Sequence, residues 1–308
     1  MTRAFLVRLG QMLLVVWAVV TIVFFILRLT TGDPARLMNA PGTPEEIITR
    51  TQERLGTNKP LLAQYGDYLV DIVRGDLGTS FRGATPVTDA VLEALPNTLM
   101  LAAIAVVLAA ALALLLGSLA ARRPNGILDR GILAYVALAQ ATPAFWLAVI
   151  LVLIFSLRLR WFPAIDLTGP KSFVLPVATL VVTLSPILIR TVRQSFIETM
   201  GEDFIRAARA RRVPEWRLYL VHGLKIAALP LITLIGLQLG FLLAGAVVVE
   251  AIFNWPGIGK LILDAMASRD FPMIQGGVLV AAVAFVVLNL IIDQIYGYLD
   301  PRIRVGSR

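Results

Sequence analysis

The chain has 308 residues, is 58% hydrophobic and carries a formal net charge of +8, with a mean hydropathy of +0.80. Several apolar runs reach about 20 residues, the length a helix needs to cross a bilayer, which places the chain among integral membrane proteins. No cysteine is present and His222 is the single histidine, which excludes disulfides, thiolate nucleophiles, Cys-based metal sites, His-rich zinc arrangements and two-histidine proton relays.

In chain order, six spanning helices are expected at about 9–28, 97–121, 131–156, 173–190, 229–250 and 276–296. The first follows Arg3 and Arg8. Its apolar stretch Leu9–Leu27 is long for the core of a signal peptide, and no clear small-residue cleavage site follows, so an uncleaved anchor is expected. The 29–96 segment carries helix signals of its own. Thr43-Pro-Glu-Glu46 reads as a capping box with Pro44 at the first helical position, and Gly56 stops that helix. Pro60 opens a second helix, in which Leu61, Leu62, Tyr65, Leu69 and Ile72 form one apolar stripe. The expectation is a small, mostly helical external lobe. Further on, Gly236 and Gly240 with Ala244, and the alanine-rich 103–121 stretch, provide small faces for close helix approach. Pro143, Pro176, Pro186 and Pro230 are expected kinks.

Charge sets the topology. The N-terminus, the 122–130 loop, the 190–228 segment and the tail hold 16 Lys/Arg against 6 acids, while the alternate connections hold 12 against 13. The positive-inside rule assigns the first set to the cytoplasm, with both termini there. Because the positives follow topology, a nucleic-acid partner is excluded. The resulting division is an N-terminal transmembrane helix 1–28, an extracytoplasmic lobe 29–96, a membrane core 97–296 containing the cytoplasmic loop 191–228, and a tail 297–308.

Three motifs lead elsewhere. Asn254–Lys260, "NWPGIGK", lacks the earlier glycine and the Ser/Thr of a phosphate loop, so the chain shows no nucleotide loop of its own. Glu250 and Asp293 lie at the edges of apolar runs, where a carboxylate is a candidate for a proton relay but can also reach an interface. His222 has no second ligand near it in the sequence.

The segment Asp203–Pro230 interrupts the apolar pattern with a densely basic stretch. A residue before proline avoids the helical region, so a helix should end at about Arg212, and Pro214 suits the first turn of the next. Phe196, Met200, Phe204 and Ala207/Ala208 recur at helical spacing before the break, and Val213, Trp216, Leu220 and Leu224 after it. Two amphipathic helices joined by a sharp corner follow from this pattern. Such a corner serves either as an elbow on anionic headgroups or as a slim element docking in a partner's groove.

The segment 202–230, with "RAARARR" and "ALP", resembles the cytoplasmic coupling loop of ATP-binding-cassette importer permeases, in the dipeptide/oligopeptide branch. The likeness extends over nearly the whole chain. It includes "TGDPARL" (Thr31–Leu37), "LGTNKPLLAQY" (Leu55–Tyr65), "GDLGTSF" (Gly75–Phe81), "TPAFWLAVILVLIF" (Thr142–Phe155), "EAIFNWPGIGKLILDA" (Glu250–Ala265), "RDFP" (Arg269–Pro272) and "NLIIDQIYGYLDPRIR" (Asn289–Arg304).

The resemblance implies an all-α integral membrane protein with the type I importer permease fold, about six spans and a helical extracytoplasmic lobe. It implies a non-enzymatic transport subunit of a bacterial cytoplasmic (inner) membrane importer for short peptides. The implied partners are a second homologous permease forming a heterodimer, two cytoplasmic ATPases and an extracytoplasmic solute-binding protein. ATP and Mg²⁺ are bound by the ATPases, and the chain itself holds no cofactor or metal. Carried over position by position, the coupling element is Arg206, Ala207, Ala208, Arg209, Ala210, Arg211, Arg212, Val213 and Pro214, with Pro230 closing the pattern. The family usually has glycine where this chain has Arg212, which puts the turn geometry there in question. Gln140, Gln238 and Asn289 are candidates for the solute path. The alternatives are a nickel-chelate permease of the same branch, or an ion-coupled secondary transporter working through Glu250 and Asp293.

Overall fold

The computed structural model describes residues 2–30, 35, 36, 39, 42–83, 85–163 and 169–299. Among these the fold is helical, and the one β contact is an isolated bridge between Thr79 and Pro86. The chain divides into two compact units, Met1–Asn97 with Pro256–Val286 and Thr98–Trp255 with Val287–Arg308.

The first unit contains α1 (Thr2–Thr30), α2 (Glu45–Leu55), α3 (Leu61–Arg74), the opening turns of α4 (Val87–Arg122), α11 (Ile258–Ser268) and the first half of α12 (Phe271–Leu299). Helix α2 begins at Glu45, one residue later than the capping box places it. Pro44 takes the capping position at φ −54° and ψ 139°, without a side-chain bond to the helix. Glu45 and Glu46 complement the helix dipole instead. Gly56 and Gly75 close α2 and α3 in the left-handed region, at φ +66° and +78°.

The expected stripe on α3 is only partly used. Leu62 is 76% exposed and no residue of α3 is fully buried. Contact with α1 comes through Tyr65 of that stripe and through Tyr68, which lies outside it. Tyr68 stacks on Phe24 at 5.3 Å, and the Tyr65 hydroxyl lies 2.6 Å from that of Thr21. Tyr65 and Tyr68, three apart, share a helix face, and the expected stripe included only the first of them.

The "GDLGTSF" and "RDFP" motifs meet within this unit. Asp270, 3% exposed, accepts hydrogen bonds from the Ser80 hydroxyl and from Phe81 N at 3.1 Å, while Arg82 Nε donates to Ser268 O at 3.2 Å. The same carboxylate faces Met273 N at the start of α12, the position of a helix-capping aspartate. Val87, Val91, Ala265, Phe271, Met273 and Ile274 form the small core beneath. The "TGDPARL" stretch lies largely outside the described residues.

The second unit contains the rest of α4, α5 (Ile127–Ala141), α6 (Ala144–Leu151, continuing as π-helix Val152–Arg158), α7 (Val174–Gly201), α8 (Asp203–Ala210), α9 (Glu215–Arg217, continuing as π-helix Leu218–Gly223) and α10 (Leu224–Ile252). Its core is built on small residues. Ala102, Ala105, Ala109, Ala113 and Ala120 of α4 are buried with Leu188, Ile189 and Val192 of α7. At Gly117 an added Cβ would lie 2.8 Å from Val192 Cβ, so the α4–α7 approach depends on that glycine.

The expected span 131–156 is not one helix. Thr142 is extended (φ −89°, ψ 117°) and Pro143 caps α6, so α5 and α6 meet at 101°. Pro143 removes the N–H that would continue α5 and forces its predecessor out of the helical region. Pro186 and Pro230 sit inside continuous helices. Four described helices are long and apolar enough to cross a membrane, and the bent pair makes a fifth. The remaining expected span falls on α10, a continuous 29-residue helix whose side chains are described only in part. Glu250 lies near the end of α10. It is fully buried within the chain and accepts a hydrogen bond from Thr98 Oγ1 at 2.6 Å. The side chains of Asp293 and His222 lie outside the described residues.

Candidate coupling site

The basic segment folds as a jointed corner in the second unit. Helix α7 stops at Gly201 because Glu202 turns extended, at φ −67° and ψ 149°. Asp203 then opens α8 in the favourable dipole position. The one-residue break at Glu202 rephases the apolar pattern. Ile205 is fully buried, whereas Phe204, which the uninterrupted spacing assigned to the inner stripe, is 46% exposed. The same happens beyond the corner. Leu218 is fully buried and Trp216 is 62% exposed, because the π-helical turn Leu218–Gly223 shifts the register. Side chains at Leu220 and Leu229 lie outside the described residues.

Helix α8 ends at Ala210 through a paired set of backbone bonds. Arg212 N donates to Arg209 O at 2.9 Å and Val213 N to Ala208 O at 3.2 Å. That is the Schellman arrangement, and it requires a left-handed residue at position 212. Arg212 adopts it at φ +59°. The arginine therefore keeps the geometry a glycine would give, at a cost of about 1–2 kcal/mol. Pro214, extended at ψ 139°, then starts α9.

Side chains brace the corner from both flanks. Arg206 donates to Gly201 O at 2.9 Å and 3.2 Å, tying α8 back to the end of α7. Arg209 Nε donates to Glu215 Oε1 at 2.8 Å, joining α8 to α9, and the carboxylate holds the guanidinium above its ordinary pKa. Two of the expected docking arginines are thus engaged within the corner itself. Arg211, Arg212, Ala207 and Ala210 are exposed and Ala208 is half-buried. The outward surface of α8 combines Phe204, Ala207 and Arg211, at helical spacings of three and four.

Behind the corner the π-helical segment crosses α7 closely. A Cβ added at Gly223 would lie 2.6 Å from Phe196 Cζ and 2.7 Å from Met200 Cε. Tyr219 stacks on Phe196 at 5.6 Å, and the Arg122 guanidinium stands 5.6 Å over the Tyr219 ring. One turn deeper, Arg193 of α7 makes a bidentate pair with Asp129 of α5, at 2.7 Å and 2.8 Å. Asp129 is 1% exposed and also accepts from Asn125 N at 2.7 Å. Sequence reading missed this pair. Its signal was a lone acid in the 122–130 loop and two bases on α7, Arg190 and Arg193, of which only the fold selects Arg193 across a 64-residue separation.

The candidate path residues sit on three helices of the same unit. Gln140 on α5 is exposed, and Gln238 on α10 and Asn289 on α12 are half-buried. Among the described residues no group of three or more His, Cys, Asp or Glu is placed to hold a metal ion.

Two family models match the chain. The binding-protein-dependent transport system inner membrane component covers residues 113–305, and the N-terminal part of such membrane components covers residues 1–102. The glutathione transport system permease protein GsiC of Salmonella choleraesuis (strain SC-B67) is 36% identical over 286 residues, 93% of this chain and 94% of that protein. The GsiC protein of Escherichia coli (strain K12) is 35% identical over 297 residues, 96% of this chain and 97% of that protein. Among solved structures, a chain of the inward-facing MetNI methionine ABC transporter aligns with a TM-score of 0.56 at 17% identity. It covers 68% of this chain and 96% of that chain, and the likeness is one of fold.

Proposed function

Since this chain belongs to the family of inner membrane components of binding-protein-dependent transport systems, we propose that it is one of two homologous, non-identical permease subunits of a bacterial ATP-driven importer for short peptides. The glutathione permeases it resembles along nearly all of both chains support a glutathione-like or di-/oligopeptide solute. In this reading Arg206–Pro214 docks in a cytoplasmic ATPase, both termini are cytoplasmic, and solute arrives from an extracytoplasmic binding protein. ATP and Mg²⁺ belong to the ATPase subunits. Gln140, Gln238 and Asn289 line the solute path.

The observation that carries the docking assignment is the form of α8. It is one eight-residue helix, set off by an extended residue on one side and a Schellman turn on the other, with Ile205 as its fully buried residue. A headgroup elbow would lay a continuous apolar face along the membrane. This helix instead exposes a narrow surface with Phe204 and Ala207 at its centre and Arg211 at its edge, the kind of aromatic and arginine anchor that protein grooves receive. A push on α8 passes through Gly201 into α7 and, through Arg193–Asp129, into α5. The bundle would thereby change access from one membrane side to the other.

Ala207→Glu tests the assignment. In the reconstituted transporter, solute-stimulated ATP hydrolysis and uptake should fall at least tenfold, with the complex still folded in membrane. Unchanged coupling would remove α8 as the docking element. Uptake that persisted without ATPase subunits and collapsed with an uncoupler would replace the whole reading with ion-coupled transport.

A further inference from the structure

The first unit holds a cavity of about 320 Å³ that coupling does not use. Phe24 and Tyr68, stacked face on face, supply its aromatic wall. Burial pushes the Tyr68 phenol up to about 12, with Tyr65 adding to the shift, so it stays a neutral hydroxyl.

Two amides supply the polar wall. Gln275 is 8% exposed, and its Nε2 is buried there without a hydrogen-bond partner. Gln64 donates its Nε2 to Thr57 O at 3.1 Å and Lys59 O at 2.8 Å, which fixes the amide orientation and leaves its buried Oε1 as an open acceptor. A buried polar atom without a partner is costly, so two of them in one cavity ask for a ligand with both a donor and an acceptor. A peptide group has both.

Charge narrows the class further. Asp67, Asp71 and Asp76 line the cavity with Arg28. Asp67 is paired with Lys59 at 2.6 Å and Asp76 accepts from Gly78 N at 2.8 Å, whereas Asp71 is exposed and its carboxylate makes no bond among the described residues. Three carboxylates disfavour an anion. No three candidate ligands converge to hold a metal ion among the described residues. An apolar ligand would leave both amides unsatisfied.

We infer that this cavity binds the main chain of a short zwitterionic peptide, its ammonium on Asp71 and one peptide group between the amides of Gln64 and Gln275. The chemistry stands on the cavity, and its role in import rests on the peptide-importer reading. The same group can come from free solute or from a chain terminus of the binding protein.

Trialanine is the probe, titrated calorimetrically into the assembled transporter in nanodiscs. Wild type should bind it. Asp71→Asn and Gln275→Met should each weaken binding at least tenfold, and N-acetyl-trialanine amide, which lacks both charges, should bind at least tenfold more weakly to wild type. Asp71 is exposed, so Asp71→Asn keeps the test valid if Gln275→Met fails to fold. Weakened trialanine binding with unchanged binding-protein docking identifies free solute as the occupant. Weakened docking together with competition by trialanine identifies a terminus of the binding protein. Equal binding by wild type and Asp71→Asn, or no binding by wild type, overturns the site. ATP-driven uptake that survives such a result leaves the importer reading standing, and the two failures are thereby separated.

Discussion

Two corners of this chain end a helix in the same way and differ in everything that surrounds them. Arg212 closes α8 at φ +59° and Arg269 closes α11 at φ +57°, each within the same pair of Schellman bonds. At the second corner the next residue, Asp270, is buried, caps α12 and takes hydrogen bonds from Ser80 and Phe81, about 190 residues away in sequence. At the first corner the braces are local and wet. Arg209 and Glu215, 40% and 56% exposed, span six residues, and Arg206 reaches a carbonyl five residues away. Identical backbone chemistry thus yields a corner locked by distant residues of its own unit and a corner presented at the surface with only local braces. Exposed ion pairs contribute little, so the presented corner is shaped by its backbone and by Ile205 and Leu218 beneath it.

The comparison is open to measurement. The largest effect belongs to the base on which the presented corner stands. Arg193→Met leaves the buried Asp129 carboxylate without its partner and should cost about 3–5 kcal/mol, read by thermal or SDS-induced unfolding of the purified protein. Adding Asp129→Asn should recover part of that loss. A cost below about 1 kcal/mol would mean that the corner has no buried anchor. Next comes the locked corner itself. Asp270→Ala removes a helix cap and two hydrogen bonds to a carboxylate and should cost about 2–3 kcal/mol in the same assay. Replacing either left-handed arginine by glycine relieves backbone strain, so Arg212→Gly and Arg269→Gly should each raise stability by about 1 kcal/mol. Unequal gains would show that tertiary contacts, and not the local turn, set the strain. The smallest change is Glu215→Gln, within about 1 kcal/mol of wild type and shrinking further at high salt. A loss as large as that of Asp270→Ala would erase the distinction between the two corners.

Much of this was legible in the chain itself, and the misassigned helix faces share one cause. The spans were readable because a 20-residue apolar run admits few other structures. The basic corner was readable because a residue before proline avoids the helical region. The stripes around it were misassigned, with Phe204 and Trp216 placed inside and Ile205 and Leu218 overlooked, because a break at Glu202 and a π-turn after Arg217 reset the helical phase. Periodicity presumes an unbroken helix, and two short interruptions suffice to rotate its faces. Pro143 carries the same lesson in reverse. Of the prolines expected to kink helices, this one breaks its span outright, while Pro186 and Pro230 are absorbed by continuous helices.

The sequence by itself determined the class of protein, most of its helical spans, its lack of thiol and multi-histidine chemistry, and the position of the basic corner, since each follows from local rules acting over a few turns of chain. Tertiary structure alone decided that Asp129 meets Arg193, that Asp270 ties the "GDLGTSF" loop to the "RDFP" corner, that Glu250 is buried against Thr98, and that Gln64 and Gln275 face one cavity. Those pairings join residues about 60 to 210 positions apart. Their energies depend on burial and on the angle between donor and acceptor, and both exist only once the helices have packed.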